Sequence, residues 1–375
     1  MQIKNGRVFL KDGSFVQANI RIENGRITEV SDFTPDADAV DAKGMYVVPG
    51  YVDIHIHGAD GSDCCDATVE ALDTVAAYLA KQGVTSFAAT TMSLGEDTLS
   101  AVAQAVKERM DNPAEGCAKI VGINMEGPFF SKAKRGAQNE KFIINPDYEF
   151  FSRVNAKSGN NVKLIDIAPE LEGSKEFIEK ASRDCVVSIA HTEADYDTSV
   201  MAFENGVTHV THLYNAMPPF SHRAPGVVGA AADYAKDIEL ICDGIHSHPA
   251  TVRSVFRLFG DDRVCIISDA MQACGLADGE YELGGQKVFV SESKATLANG
   301  TIAGSTTNLA EGVRRAVKFG VPLESALKAA TANPARVLGM TGEIGSVEAG
   351  AKADILILDE SLTPKTIIID GKVLN

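Results

Sequence analysis

The stretch Val47-Val48-Pro49-Gly50-Tyr51-Val52-Asp53-Ile54-His55-Ile56-His57-Gly58 sets two of the chain's eight histidines two residues apart within an apolar run. The run predicts a β-strand, in which alternate residues share one face, about 6.6 Å apart. Both imidazoles therefore reach toward one ion, and neutral imidazole nitrogen is a good ligand for zinc. An isolated pair is equally compatible with two solvated or hydrogen-bonded histidines at a strand end. The rest of the chain decides between these interpretations.

Composition describes an ordinary globular chain with a large core. The 375 residues are 45% hydrophobic, and 35 basic residues stand against 51 acidic ones, for a net charge of −16. This charge disfavours nucleic-acid and anionic-membrane partners, and an anionic substrate requires a local basic pocket. There is no CxxC pair among seven cysteines, no signal-peptide pattern and no apolar run of membrane-spanning length. We predict a cytoplasmic protein with reduced thiols.

Both ends of the chain carry short β patterns. Asn5-Gly6 and Asn24-Gly25 interrupt apolar runs in the first 45 residues, as is typical of β-hairpins. Residues 353–359 and 366–373 have the same character at the other end. We therefore expect the two ends to form one small β-sandwich domain from residues 1–48 and 343–375.

The middle of the chain alternates short β runs with helical stretches, such as residues 68–82 and 99–109. Eight β/α units in residues 49–342 favour a (β/α)8 TIM barrel, whose active site lies at the carboxyl ends of its strands. A doubly wound open sheet is the alternative, but no GxGxxG opens a helix after a first strand. The predicted strands are 52–57, 86–89, 120–125, 162–167, 187–190, 209–211, 238–241 and 264–268.

Four further chemical residues fall at the ends of these strands. Glu126 is the only ionisable group in an apolar run, His191 and His212 each end a strand, and Asp269 follows the last one. Taken singly, each is more often a capping or core polar residue than a ligand. Together they predict a site at the carboxyl-terminal face of the barrel.

The residue types suit metal-dependent hydrolysis of a C–N bond. Glu126, His191 and His212 supply three ligands and leave a position for a water whose pKa a divalent ion lowers. Asp269 is the candidate base and acid that moves the proton to the leaving nitrogen. His55 and His57 suit a second ion, with Glu126 bridging. We expect one or two divalent ions, zinc first, with iron, manganese and cobalt as alternatives.

The local segments resemble one family closely, over essentially the whole chain. The order of residue types on successive barrel strands, namely HxH, Glu, His, His and Asp, resembles that of the amidohydrolase superfamily. Within this superfamily, the local segments are similar to those of the N-acetylglucosamine-6-phosphate deacetylase family. The resemblance implies hydrolysis of N-acetylglucosamine 6-phosphate to glucosamine 6-phosphate and acetate, with Glu126 as the bridging ligand. The segments are Met125-Glu126-Gly127-Pro128-Phe129, Ala190-His191-Thr192, Thr211-His212-Leu213-Tyr214-Asn215-Ala216-Met217, Asp243-Gly244-Ile245-His246 and Ser268-Asp269-Ala270-Met271.

The resemblance also implies roles for residues that chemistry alone leaves open. His246 contacts the substrate and helps Asp269 in catalysis by polarising the acetyl carbonyl. Arg223 binds the phosphate from the neighbouring subunit of a homodimer, although the residue by itself is more typical of an ordinary solvated loop arginine. The remaining implied substrate contacts are Ala137, Gln138, Asn215, Ala216, Ile302, Ala303, Gly304 and Ser305.

Several alternatives stay open at this point. Gln138 stands where many relatives have histidine, and glutamine carries no charge and shuttles no proton. Some family members lack the HxH pair and use one metal. The substrate is alternatively N-acetylgalactosamine 6-phosphate or a cyclic amide, and a barrel retained only as a noncatalytic binding scaffold is a further possibility.

Overall fold

The computed structural model describes residues 1–374, in which strands and helices alternate along most of the chain. Three short 3₁₀ helices lie at Cys64–Asp66, Lys132–Lys134 and Glu140–Phe142. The strands are β1 (Gln2–Phe9), β2 (Phe15–Glu23), β3 (Arg26–Ser31), β4 (Val40–Asp41), β5 (Tyr46–Pro49), β6 (Tyr51–Ile56), β7 (Gly58–Ala59), β8 (Ser62–Asp63), β9 (Val84–Thr91), β10 (Lys119–Phe129), β11 (Val162–Ile167), β12 (Val186–Ile189), β13 (His209–Val210), β14 (Asp237–Ile241), β15 (Val264–Ile267), β16 (Gly279–Leu283), β17 (Gln286–Ser291), β18 (Lys294–Leu297), β19 (Ile355–Leu358), β20 (Pro364–Ile369) and β21 (Lys372–Val373). The α-helices are α1 (Val69–Lys81), α2 (Glu96–Asp111), α3 (Tyr148–Lys157), α4 (Ser174–Ala181), α5 (Tyr196–Glu204), α6 (Gly226–Tyr234), α7 (Pro249–Phe259), α8 (Leu309–Lys318), α9 (Leu323–Ala329) and α10 (Ala332–Val337).

Eight parallel strands form the centre of the molecule, in the spatial order β6-β9-β10-β11-β12-β13-β14-β15. Ile56 at the end of β6 pairs with Ala270 beyond β15, and the amide of Asp269 donates to the carbonyl oxygen of His55 at 2.9 Å. These contacts close the sheet, so the predicted TIM barrel is confirmed and the open doubly wound alternative is wrong. All eight predicted strands are present.

The helices follow from sequence periodicity and from their caps. In α1 the Thr68 hydroxyl accepts from the amide of Ala71 at the start, and the buried residues recur three or four positions apart at Leu72, Val75 and Leu79. The helix ends just before Gly83, whose φ of +85° suits glycine. The prediction of a helix over 68–82 is therefore accurate to one residue at each end.

The two ends of the chain join in one eight-stranded sheet, ordered β21-β20-β19-β5-β1-β2-β3, with β4 also paired to β1. Ile355 of β19 lies opposite Pro49 of β5, directly before the first barrel strand. This sheet has its own apolar cluster, which includes Ile3, Ile20 and Ile357. The two ends thus fold together, while the exact boundaries at residues 48 and 343 remain a prediction.

A three-stranded sheet beside the barrel mouth has no counterpart in the sequence prediction. Strands β16, β17 and β18 form a three-stranded antiparallel sheet between the last barrel strand and α8. Leu283, Val288 and Ala295 of this sheet pack against Met271 beside the barrel mouth. None of the helices within residues 1–374 combines the length and apolar character that a membrane crossing requires.

Candidate active site

The predicted chemical residues meet at the carboxyl-terminal end of the barrel. His57, Glu126, His191, His212 and Asp269 line one cavity of about 460 Å³ there. The imidazole of His55 lies fully buried beneath the cavity floor and contacts the same cluster. Six residues from five strand ends are thus brought together, as the spacing of the motifs predicts.

Three of these residues adopt an uncommon backbone conformation. His191, His212 and Asp269 each stand two residues beyond the end of their strand, with φ values of +45°, +28° and +47°. The left-handed region is disfavoured for residues with a Cβ, at a cost of about 1–3 kcal/mol each. Packing and hydrogen bonds must hold these residues in place, and such strain is typical of functional positions.

One group of possible metal ligands consists of Glu126, His191 and His212. Oε1 of Glu126 lies 3.1 Å from Nε2 of each histidine, and the two Nε2 atoms are 3.2 Å apart. Nδ1 of His191 lies 2.9 Å from the carbonyl oxygen of Lys134, a pure acceptor, so Nδ1 carries the proton. In the neutral ring, Nε2 of His191 then presents its lone pair to the cluster.

The second group consists of His55, His57 and the same glutamate. Nε2 of His57 lies 3.4 Å from Oε2 of Glu126 and 3.3 Å from Oδ1 of Asp269. Nε2 of His55 is 3.7 Å from both carboxylates and is buried without a hydrogen-bond partner. Within each group the ligand atoms lie within 4.8 Å of one another. Glu126 is therefore common to both groups: its Oε1 is nearest to His191, His212 and His55, and its Oε2 is nearest to His57.

The electrostatics of the cluster suit a bound cation. Burial opposes the charge of Glu126, but its close contacts with His191 and His212 and the nearby imidazoles of His55 and His57 outweigh burial and hold its pKa well below the usual value. Burial lowers the pKa of His55 and His57, but the surrounding carboxylates outweigh burial and raise it. The site therefore favours positive charge at its centre. A divalent ion satisfies the same demand by competing with those protons.

The donor set accordingly fits a divalent metal. Two histidine nitrogens and one carboxylate oxygen in each group leave room for further ligands, as catalytic metal sites do. Nε2 of His55 is buried without a hydrogen-bond partner, and coordination to a metal ion would satisfy it. Imidazole and carboxylate ligands do not by themselves select zinc over iron, manganese or cobalt.

Asp269 lies at the edge of this cluster and faces the cavity. Burial raises its pKa, but the hydrogen bond from His57 and the charges of His55 and His57 outweigh burial and lower it. The carboxyl group is therefore ionised near neutral pH, which is the form that accepts a proton.

His246 is oriented toward the same cavity by a neighbouring carboxylate. Its Nδ1 lies 2.6 Å from Oδ2 of Asp243, while Oδ1 of Asp243 accepts from the amide of His246 at 2.8 Å. Burial lowers the pKa of His246, but the hydrogen bond and charge of Asp243 outweigh burial and raise it. This pair leaves Nε2 of His246 free to donate into the cavity.

Gln138 is buried and makes different contacts from those the resemblance implies. Its Oε1 accepts from the amide of Ser93 at 2.7 Å, and its Nε2 donates to Oε2 of Glu126 at 2.5 Å. Both ends of the side chain amide are therefore engaged with the protein. The side chain orients the carboxylate that the two groups share, and its direct role in substrate binding remains a prediction.

The other predicted substrate contacts divide into two sets. Those that line the cavity are Ala137, Asn215, Ala216, Ile302 and Gly304.

Three do not line the cavity. The side chains of Ala303 and Ser305 are buried, and the Ser305 hydroxyl donates to the carbonyl oxygen of Ser268. Arg223 is exposed on a loop outside the cavity of its own chain. Substrate binding by these three residues remains a prediction.

Several cavity residues escaped the sequence analysis. Lys134 and Arg135 bring positive charge to the wall, which answers the requirement for a local basic pocket in an acidic chain. Leu283 comes from the three-stranded sheet, and Thr301 follows it. The basic pair was visible in the segment around Gln138, whereas nothing local in the sequence marks Leu283 or Thr301 as cavity residues.

The comparisons with known proteins agree with this geometry. Residues 46–374 match the model of the amidohydrolase family. The chain is 36% identical to an N-acetylglucosamine-6-phosphate deacetylase from Lysinibacillus sphaericus, over 99% of this chain and 97% of that protein. It is 32% identical to an N-acetylgalactosamine-6-phosphate deacetylase from Escherichia coli O157:H7, over 98% of each.

A solved structure extends the similarity to three dimensions. It is an aspartate-to-alanine mutant of N-acetyl-D-glucosamine-6-phosphate deacetylase from Mycobacterium smegmatis, in complex with N-acetyl-D-glucosamine-6-phosphate. The two folds superpose with a TM-score of 0.93 at 31% identity, covering 100% of this chain and 99% of the other. The similarity therefore includes both the barrel and the terminal sheet.

Proposed function

Because this chain belongs to the amidohydrolase family, and within it to the N-acetylglucosamine-6-phosphate deacetylases, we propose that it hydrolyses N-acetylglucosamine 6-phosphate to glucosamine 6-phosphate and acetate. The observation that carries the proposal is the placement of Asp269 in one cavity with two histidine and glutamate groups that share Glu126. A free carboxylate beside a candidate metal centre is the arrangement that amide hydrolysis requires.

The reaction breaks the C–N bond of the acetamide and forms a C–O bond with water. Glu126, His191 and His212 would hold a divalent ion, with or without a second at His55 and His57, and such an ion would polarise the carbonyl and lower the pKa of bound water. Asp269 takes a proton from the water and delivers it to the departing nitrogen. The proton taken up in the first step thus leaves with the amine.

His246 assists at the carbonyl oxygen of the acetamide. Its Nδ1 is tied to Asp243, so the imidazolium donates from Nε2 to the oxygen that becomes negative as water adds. Asp243 raises the pKa of His246, so this donor form persists to higher pH than in an ordinary histidine.

The cavity wall supports recognition of a sugar phosphate. We assign the sugar to Asn215, Ala216, Ile302 and Gly304, with Ala303 and Ser305 supporting that loop from below and Ala137 on the facing wall. The phosphate is assigned to Arg223 of a second subunit, which supports a homodimer, together with Arg135 of the same chain. A guanidinium matches phosphate geometry.

Three further assignments accompany this function. Zinc is the proposed native ion, since imidazole and carboxylate ligands suit it. A cytoplasmic setting is proposed because all seven cysteines are free thiols. N-acetylgalactosamine 6-phosphate is the second candidate substrate, because a relative of that name is 32% identical to the chain.

The test is acetate release by the purified protein from the two epimeric amino-sugar phosphates and from unphosphorylated N-acetylglucosamine, paired with elemental analysis. We expect equal amounts of acetate and free amine, with the glucosamine epimer preferred and the unphosphorylated sugar poor. Chelation should abolish activity, and a divalent ion should restore it. Preference for the galactosamine epimer would select the second candidate. An ion-free protein without hydrolytic activity would instead support the binding scaffold.

A further inference from the structure

A buried glutamate that belongs to neither metal group contacts residues of both. Glu239 lies in β14 with no solvent exposure. Its Oε2 lies 2.9 Å from Nδ1 of His55 and accepts from the backbone amide of His212 at 3.2 Å. Its own carbonyl oxygen accepts from the amide of Leu213 at 2.9 Å.

The contact with His55 determines which of its nitrogens faces the metal cluster. A carboxylate that accepts the Nδ1 proton fixes the tautomer, so Nε2 carries the lone pair. That Nε2 is buried in the cluster and has no hydrogen-bond partner. Without the carboxylate, the ring has an alternative tautomer and freedom to turn.

The contact with His212 acts on the backbone. His212 has a φ of +28°, a conformation that residues with a Cβ adopt only when their surroundings hold it. Glu239 accepts two hydrogen bonds that hold this turn, one from the amide of His212 to its carboxylate and one from the amide of Leu213 to its carbonyl oxygen. The orientation of the His212 side chain toward Glu126 depends on that turn.

We infer that Glu239 is a positioning residue that orients His55 in one metal group and the His212 turn in the other, so that two-ion occupancy depends on its carboxylate. The inference rests on the proposed function, because it assumes that both groups hold metal. It predicts that removing the Glu239 carboxylate lowers the affinity for metal ions more than the affinity for substrate.

A purely structural role is the competing explanation, and the chain offers a matched control for it. Asp166 is equally buried in the barrel interior, and its Oδ1 accepts from the Thr211 hydroxyl at 2.8 Å. Burial and the negative charges of Glu239 and Glu126 raise the pKa of Asp166 well above its usual value. Asp166→Asn therefore removes a buried carboxyl group that hydrogen bonds to Thr211 rather than to a metal ligand.

The experiment is a calorimetric titration of zinc into chelator-treated protein, with bound zinc counted by elemental analysis. We expect two ions in the wild-type chain. In Glu239→Gln the affinity of the His55 and His57 group should fall about 10- to 100-fold. The other group should keep its ion, because the backbone bond from Leu213 to residue 239 still holds the His212 turn. Asp166→Asn should retain two, and in Glu239→Gln kcat should fall more than KM rises.

Three results would overturn the inference. They are two tightly bound ions in Glu239→Gln, the same loss in Asp166→Asn, or a single ion in the wild-type chain. If Glu239→Gln does not fold, Glu239→Asp is titrated instead, because the shorter side chain keeps the negative charge but moves it away from His55. Wild-type zinc affinity in Glu239→Asp would also overturn the inference. The titration needs no sugar substrate, so its failure is distinct from a failure to release acetate.

Discussion

Nε2 of Gln138 lies 2.5 Å from Oε2 of Glu126, so an uncharged amide orients the carboxylate that the two metal groups share. Its other end accepts from the amide of Ser93. Gln138→Leu keeps the approximate volume and removes both bonds. We expect a loss of about 1–3 kcal/mol in the free energy of unfolding, because a buried donor and a buried carboxylate lose their partners. Weaker zinc binding should accompany it. Denaturant unfolding and zinc titration measure the two effects.

Gln286→Leu is the matched control for that variant. Gln286 of β17 donates to the carbonyl oxygen of Ala137, in the loop that carries Gln138, and this bond does not involve Glu126. Its zinc affinity should stay at the wild-type value. Equal zinc affinity in Gln138→Leu and the wild-type protein would show that the contact with Glu126 does not position the ligand.

Asp269→Asn should separate catalysis from binding. The amide keeps the shape of the side chain but accepts no proton, so kcat should fall by about 10²- to 10⁴-fold. Zinc content and the affinity for N-acetylglucosamine 6-phosphate should change little, because Glu126 and the four histidines remain. Steady-state acetate release, elemental analysis and calorimetric sugar binding provide the readouts. Turnover near the wild-type rate would remove Asp269 from the mechanism.

The barrel and the clustering of its candidate metal ligands were predictable from the sequence, because the necessary signals are local. A short apolar run predicts a strand. An ionisable residue in or directly after such a run, such as Glu126 or Asp269, indicates a functional strand end. Glu239 carries the same signal, a lone carboxylate inside the apolar segment Ile238–Ile241, and could have been found by it.

The remaining features depend on contacts between distant parts of the chain. Gln138 reaches Glu126 only because the loop after β10 folds back over the barrel mouth. The three-stranded sheet of β16 to β18 interrupts the β/α alternation, so a pattern of repeating units does not anticipate it. The left-handed conformations of His191 and His212 follow from tertiary packing, since neither residue type requires them.

Arg223 and Arg135 offer contrasting tests of phosphate recognition. Arg223 is exposed outside its own cavity, whereas Arg135 lines the cavity. If Arg223 serves the partner subunit, Arg223→Ala should raise KM for the phosphorylated sugar at least about tenfold, since a lost charge-assisted bond costs about 1.5–3 kcal/mol. It should leave kcat/KM for the unphosphorylated sugar unchanged.

The subunit arrangement is tested with the same variants. Sedimentation should give a dimer for both the wild-type chain and Arg223→Ala. Arg135→Ala should also raise KM for the phosphorylated sugar, because Arg135 lines the cavity of its own subunit. An active wild-type monomer, or an Arg223→Ala protein with unchanged KM, would assign phosphate recognition to Arg135 and its neighbours alone.

The pair of Asp243 and His246 predicts a specific change in the pH profile. Nδ1 of His246 is committed to Asp243, so Nε2 carries a proton only in the imidazolium. Activity should therefore fall as pH rises through the pKa of His246, which Asp243 raises above the usual value. Asp243→Asn keeps an acceptor but removes the charge, so the pKa of His246 falls and the alkaline limb of kcat moves to lower pH. The acid limb, governed by Asp269, should stay in place.

His248→Gln, which changes an exposed histidine at the start of α7, is the control and should leave the profile unchanged. If the profiles of Asp243→Asn and the wild-type protein superimpose, the donor at the acetyl oxygen is not the imidazolium of His246.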